Sequence, residues 1–226
     1  MRLHSLALIA AILVPMSVSA QSGPFTVSPL KEAPPQELAG PVKETLALDG
    51  YRIKDGQGKP FLDFWLRKGI PASAKPAGPK GAILFPILVE GELLGAARYA
   101  AEGFDYRDQA IEPGVFTLRY GLQPVNGDHL GVSETRDYAL LLPAARDTSP
   151  DVPTRKKLES QSAEAAGSNH PAVLYLLASK EAGPSVTQDD SKMRWTLVLP
   201  LALTVKGDST AATLPVQFVI VGTAPQ

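Results

Sequence analysis

Residues 112–122 read EPGVFTLRYGL. After the turn-forming Pro113-Gly114, Val115, Thr117 and Arg119 alternate with Phe116, Leu118 and Tyr120. A period of two, carried by β-branched and aromatic residues, predicts a strand with two unlike faces. Phe116, Leu118 and Tyr120 are the expected core side of this half-buried strand. Arg119 falls on the other.

The same grammar recurs on both sides of this run. Tyr51-Arg52-Ile53 and Phe61–Leu66 flank KDGQGKP, which reads as a hairpin. Ala82–Val89 reads as a strand confined to an edge or bend by Pro86, with Glu90-Gly91-Glu92 as a turn and Leu93–Tyr99 returning beside it. Tyr138–Leu142 and Ala172–Ala178 follow. Trp195–Val205 and Leu214–Val221 are apolar at nearly every position, which predicts strands covered on both faces, with Pro200 bending or breaking the first. The segment 68–81, KGIPASAKPAGPKG, reads as a solvated loop or edge whose lysines discourage strand pairing.

One segment departs from the strand pattern. DVPTRKKLESQSAEAAG (151–167) is rich in helix formers, with Pro153 suited to a first turn and Gly167 to a stop. Its apolar content is thin, so it predicts one short exposed helix around 153–166. Eight or nine short strands and one helix point to an all-β fold, an antiparallel β-sandwich of immunoglobulin-like or jelly-roll type spanning 45–226. Residues 21–44, with five prolines and no clear period, read as an exposed, extended lead-in with one short strand at Phe25-Thr26-Val27.

Residues 1–20, MRLHSLALIAAILVPMSVSA, have the build of a signal peptide: Arg2 at the start, an apolar run from Leu6 to Val18, and small residues up to Ala20. The run is short of the ~20 residues that a membrane span needs. Of 226 residues, 206 then remain, and the loss of Arg2 leaves 21 basic against 23 acidic side chains. That balance argues against nucleic acid, which asks for a basic face. With no cysteine in the chain, disulfides, thiolate metal sites and a lipid-bearing cysteine are excluded. The expectation is a soluble protein, periplasmic or secreted, with no membrane span, held together by its core alone.

GVFTLRYGLQPVNGDHLGVSETRDYALLLPAARD (114–147) and NHPAVLYLLAS (169–179) resemble segments of a functionally uncharacterised family of exported bacterial proteins. The resemblance implies export and a bacterial source, and it assigns no catalytic residue.

Several residues are candidates for chemistry. Asn126-Gly127 is a turn signal, and Asp128 and Arg136 beside it read first as the ties of an ordered connection, with Arg136 pairing to Asp128 or Asp137. As a ligand site, the same loop offers Asp128 and Arg136 as polar contacts. Phe104 and Tyr106, set among charges in AEGFDYRDQ (101–109), are the candidate stacking residues for a glycan or a protein partner. Trp65 and Trp195 sit inside apolar strands and read as core. His129 and His170, the two histidines beyond residue 20, could bind copper or zinc if their loops meet, with Asp128 or Met193 completing the set.

Catalytic motifs are missing. His129, Ser133 and Asp137 suggest a triad only by proximity in the chain, and GVSE lacks the strand–turn–helix setting of a nucleophile elbow. Nor does the chain carry a phosphate-binding loop or a dinucleotide fingerprint. The reading is therefore a non-enzymatic binding or structural module of the bacterial envelope, with a copper- or zinc-binding accessory protein as the alternative.

Residues 1–20, fused ahead of a reporter that matures only through disulfide formation, are expected to carry it out of a bacterial cytoplasm and make it active. An inactive reporter retained in the cytoplasm would overturn the export reading.

Overall fold

The computed structural model describes residues 24–125, 133–208 and 212–224. Thirteen strands and two helices run β1 (Thr26–Leu30), α1 (Gly40–Thr45), β2 (Gly50–Lys54), β3 (Pro60–Leu66), β4 (Ile70–Ala72), β5 (Leu93–Tyr99), β6 (Gly103–Phe104), β7 (Ala110–Ile111), β8 (Gly114–Leu122), β9 (Asp137–Pro143), α2 (Arg155–Ala165), β10 (Val173–Ala178), β11 (Ser185–Asp189), β12 (Arg194–Val205) and β13 (Ala212–Val221). The fold is mostly β, as expected. One large sheet runs in the order β1-β2-β3-β5-β8-β9-β10-β13-β12-β11, with β4 adding to β12 in parallel; β6 and β7 form a small separate hairpin.

The sheet curls because one face of almost every strand is apolar and closes on a common core. Phe116, Leu118 and Tyr120 of β8 point into it with Phe61 and Phe64 of β3, Leu174 of β10, Leu197, Leu199, Leu201 and Leu203 of β12 and Phe218 of β13. Phe64 and Phe218 come from opposite arms of the curl, yet their rings lie 5.5 Å apart. Phe25, just ahead of β1, meets Trp195 of β12 edge-on at 5.4 Å, so the two ends of the sheet also approach. Offset and edge-on ring pairs of this kind add about 0.5–1.5 kcal/mol beyond the area they bury.

The outer face is covered as well, which departs from the half-buried strand expected at 114–122. Thr117 and Arg119 are fully buried. Arg119 donates from Nε and Nη2 to the two carboxylate oxygens of Asp147, at 2.6 and 2.9 Å, and Thr117 Oγ1 donates to the same carboxylate. Its remaining donors reach the carbonyls of Gly91, Ser149 and Asp151. An arginine can be buried only with its charge and donors matched, and here the segment after β9 supplies the match.

Other expectations change in instructive ways. The lead-in is not an exposed strip: β1 pairs along β2, and Leu30, Leu38 and Val42 pack on Trp65 and Leu93 of the outer face. Ala82–Val89 forms no strand of the sheet. Phe85, Ile87 and Leu88 enter the core from an irregular path, with the amides of Leu84 and Phe85 satisfied by the Asp137 carboxylate at 2.8 and 3.1 Å. Pro86 explains why the run cannot pair regularly. β12, by contrast, passes through Pro200 unbroken. Pro200 stands opposite Pro215 of β13, and on its other side β11 has ended at Val198 and β4 starts at Leu203, so no partner awaits the missing N–H. Of the two strands expected to be covered on both faces, β12 is so only over Thr196–Leu199, and β13 alternates over its first half.

The expected helix is present as α2, capped by Thr154 Oγ1 accepting from the Lys157 amide. It is not fully exposed: Leu158, Ser162 and Ala165 form a buried stripe at helical spacing against the sheet.

Arg119→Met is expected to destabilise the protein by about 3–5 kcal/mol, because it strands the Asp147 carboxylate in a dry site. The double variant Arg119→Met/Asp147→Leu is expected to recover much of that loss. Urea unfolding of the three proteins checks this; a single variant as stable as the parent would show that the pair is dispensable.

Candidate functional site

The outer face of β9 and β10 carries three tyrosines. Register places Tyr138 of β9 directly across from Tyr175 of β10, and Tyr106, from the β6–β7 turn, stacks on Tyr175 at 4.6 Å with the rings 24° apart. The turn is held down by Asp105, whose carboxylate accepts from the amides of Arg107, Gln109 and Val173 and from Gln109 Nε2. Burial pushes the Asp105 carboxyl above its usual range despite these four donors. The hydroxyls of the other two rings are also tied. Tyr138 OH donates to Ser133 Oγ at 2.9 Å, and Tyr175 OH lies 2.7 Å from Thr135 Oγ1 and accepts from its amide.

Beside this cluster lies a groove of about 830 Å³. Tyr138, Leu140 and Val173 form its floor, and Tyr106 stands at one end. One wall is α2, through Lys156, Glu159, Ser160 and Ala163. The other is the chain from Gly121 to Val125 together with Arg136; Asn169, His170 and Pro171 also border it. Gly121 leaves room for the Leu140 side chain: a Cβ at that position would sit 2.1 Å from Leu140 Cδ1, and the leucine would have to shift. A volume of this size falls in the ~300–1,000 Å³ range of small-molecule sites.

The rim is basic. Arg107, Arg136, Arg155 and Lys156 face a single carboxylate, Glu159. Arg155 is already committed to Glu159 at 2.9 Å and approaches Glu90 at 3.7 Å. Arg136 donates from Nε to the Gln123 carbonyl at 2.7 Å. Among the described residues, Arg107, Arg136 and Lys156 form no ion pair.

The residues singled out from the sequence are thus partly brought together. Tyr106, Arg136 and His170 border the groove. Tyr106 is not the free loop ring expected, being only 6 % exposed within the tyrosine cluster. Phe104 is 42 % exposed on β6 and lies outside the groove. Asp128 and His129 fall outside the described residues. Met193, 85 % exposed and in the left-handed region, does not border the groove either. Among the described residues no group of three or more histidines and carboxylates is suited to a metal ion. Asp137 turns inward to Tyr120 OH at 2.6 Å rather than to Arg136, and Ser133 is bonded to Gln123 and Thr135. Trp65 is core as expected, its Nε1 donating to the Glu32 carbonyl, while Trp195 is only partly buried.

Sequence reasoning missed Tyr138, Tyr175, Arg107 and Lys156. Tyr138, second in β9, and Tyr175, third in β10, lie among apolar residues and give no period of their own, and only the register reveals them as neighbours. RKK at 155–157 was visible, but the face it presents depends on where α2 docks. No protein-family model, curated protein or solved structure matches this chain. Among the described residues, no helix is long and apolar enough to cross a membrane.

Burial raises the Tyr138 phenol to about 12, and it raises Tyr99, Tyr106 and Tyr120 in the same direction. A raised phenol contributes stability that is whole below the unfolded value near ~10 and is lost as pH climbs through the folded one. Stability is therefore expected to fall between about pH 10 and 12, and Tyr138→Phe to make that fall shallower. Urea unfolding across this range measures it, and an identical slope in the variant would contradict the assignment.

Proposed function

We propose that this protein is an exported, soluble binding module of the bacterial envelope, working outside the cytoplasm and holding its ligand in the groove between α2 and the outer face of β9 and β10. The observation that carries the reading is the groove itself: a pocket-sized recess over an apolar floor of Tyr138, Leu140 and Val173, with the Tyr138 hydroxyl already bonded to Ser133. Preformed recesses of this kind, with few polar groups at defined places, are the usual form of a ligand site. Residues 1–20 support export, and the resemblance at 114–147 and 169–179 supports an envelope setting. No catalytic role is assigned, and the one phenol of the floor, Tyr138, has its hydroxyl occupied by Ser133.

In the same reading the curled sheet is a sandwich of immunoglobulin-like or jelly-roll type. Support comes from β10–β13, which lie in the order β10-β13-β12-β11. β11, β12 and β13 are connected as neighbours and β10, the strand before them, lies beside the last of the three, a Greek-key arrangement common to such sandwiches.

Titration with a panel of glycans and peptides, followed by amide chemical shifts, is expected to move signals from 121–125, 155–163 and 169–173. Ser160→Trp, a substitution at an exposed groove-lining position, is expected to fill the recess and abolish those shifts without altering the melting temperature. Ligand-induced shifts that persist in Ser160→Trp would move the site elsewhere.

A further inference from the structure

The charge of the groove says more about what it takes, and this step rests on the binding-module reading above. Three cations at the rim, Arg107, Arg136 and Lys156, form no ion pair among the described residues, and Arg107 and Lys156 are exposed. They stand over a floor that is apolar. The first turn of α2 reads Arg155-Lys156-Lys157 and contains no acidic residue. That choice opposes the helix dipole, which favours carboxylates at its start. Lys156 therefore stands against the dipole, and among the described residues it, Arg107 and Arg136 have no carboxylate partner, so an anion reaching the rim meets positive charge that is not yet paired.

We infer that the groove binds a free single-chain amphipathic anion, its charged head drawn to Arg107, Arg136 and Lys156 and its apolar body laid along Tyr138, Leu140 and Val173. Head and body are both needed: cations alone would suit inorganic ions, and the floor alone would suit a neutral hydrocarbon. An acidic peptide fits less well. The strands under the groove are interior to the sheet, with β9 paired on both sides by β8 and β10, so no free edge is offered for strand addition. A membrane surface fits poorly too. Tyr138 and Leu140 are each 6 % exposed and lie below the rim, where a flat sheet of head groups does not reach.

The test is calorimetric titration of the full chain with decanoate, decyl phosphate, 1-decanol and acetate, each below its aggregation limit, and with oligoglutamate and anionic phospholipid vesicles. Decanoate and decyl phosphate are expected to bind with one-to-one stoichiometry, and decanol and acetate roughly tenfold or more weakly, a difference of about 1.4 kcal/mol. Arg107→Gln and Lys156→Gln, both at exposed positions, are each expected to weaken decanoate severalfold while leaving decanol unchanged. High salt is expected to act in the same direction. Decanol binding as tightly as decanoate, with both variants silent, would overturn the anion assignment and leave the groove as a binding site. Oligoglutamate or vesicles binding in place of the amphiphiles, with loss in Lys156→Gln, would overturn the choice of occupant. If Ser160→Trp leaves all binding intact, the groove reading itself fails, and this one with it.

Discussion

The buried Arg119–Asp147 pair is the constraint on which the outer half of the molecule depends. β8 lies in the middle of the sheet, and an arginine on its outer face cannot remain there dry without a partner. Asp147 supplies the charge, and the carbonyls of Gly91, Ser149 and Asp151 take the remaining donors. Those acceptors lie on the chain between β9 and α2 and on the turn before β5. Satisfying one guanidinium thus fixes the path that delivers α2 to the sheet, and α2 is one wall of the groove. A point of apparent polarity on a strand becomes the reason that a recess exists at all.

A second charged knot does similar service on the other flank. Asp63 of β3 is buried and receives both Arg52 and Arg98, and the same two arginines reach Glu32 of the lead-in. The Arg98 hydrogen bond, with both positive charges nearby, holds the Glu32 carboxyl below its usual range. Arg98 also lies over the Trp65 ring at 5.2 Å, a cation–π placement. The lead-in is therefore fastened by charge at Glu32 and by burial at Leu38 and Val42. Together the two covers explain how a sheet with no disulfide keeps both faces away from water.

How far this could be read beforehand depended on whether the signal was periodic or positional. The inward residues of β8, β12 and β13 announce themselves by alternation, and α2 by its composition and its cap, so a mostly β fold with one helix in that segment was legible. Arg119 reads as facing solvent because alternation reports polarity and cannot see the later segment, Asp147 to Asp151, that covers it. Ala82–Val89 reads as a strand because its apolar content is real; the structure uses that content as a core insert. The tyrosine cluster needed register, and the groove needed the docking of α2, neither of which is encoded at short range. Tyr106, Arg136 and His170 were singled out as loop residues with chemistry, and they border the same groove for reasons of topology that their spacing does not contain.

Pro200 and Pro215 face one another across β12 and β13, each with its missing donor turned toward a place where no strand waits. Were β12 to slide by a single residue against its neighbour, a proline would face a position where the ladder requires an N–H, and the leucine face would turn outward. Along β12 a leucine returns at every second residue from Leu197 to Leu203, so alternation by itself does not choose between registers two residues apart. The two rings act as a key cut for one register, and they let a run of alternating leucines find a single alignment.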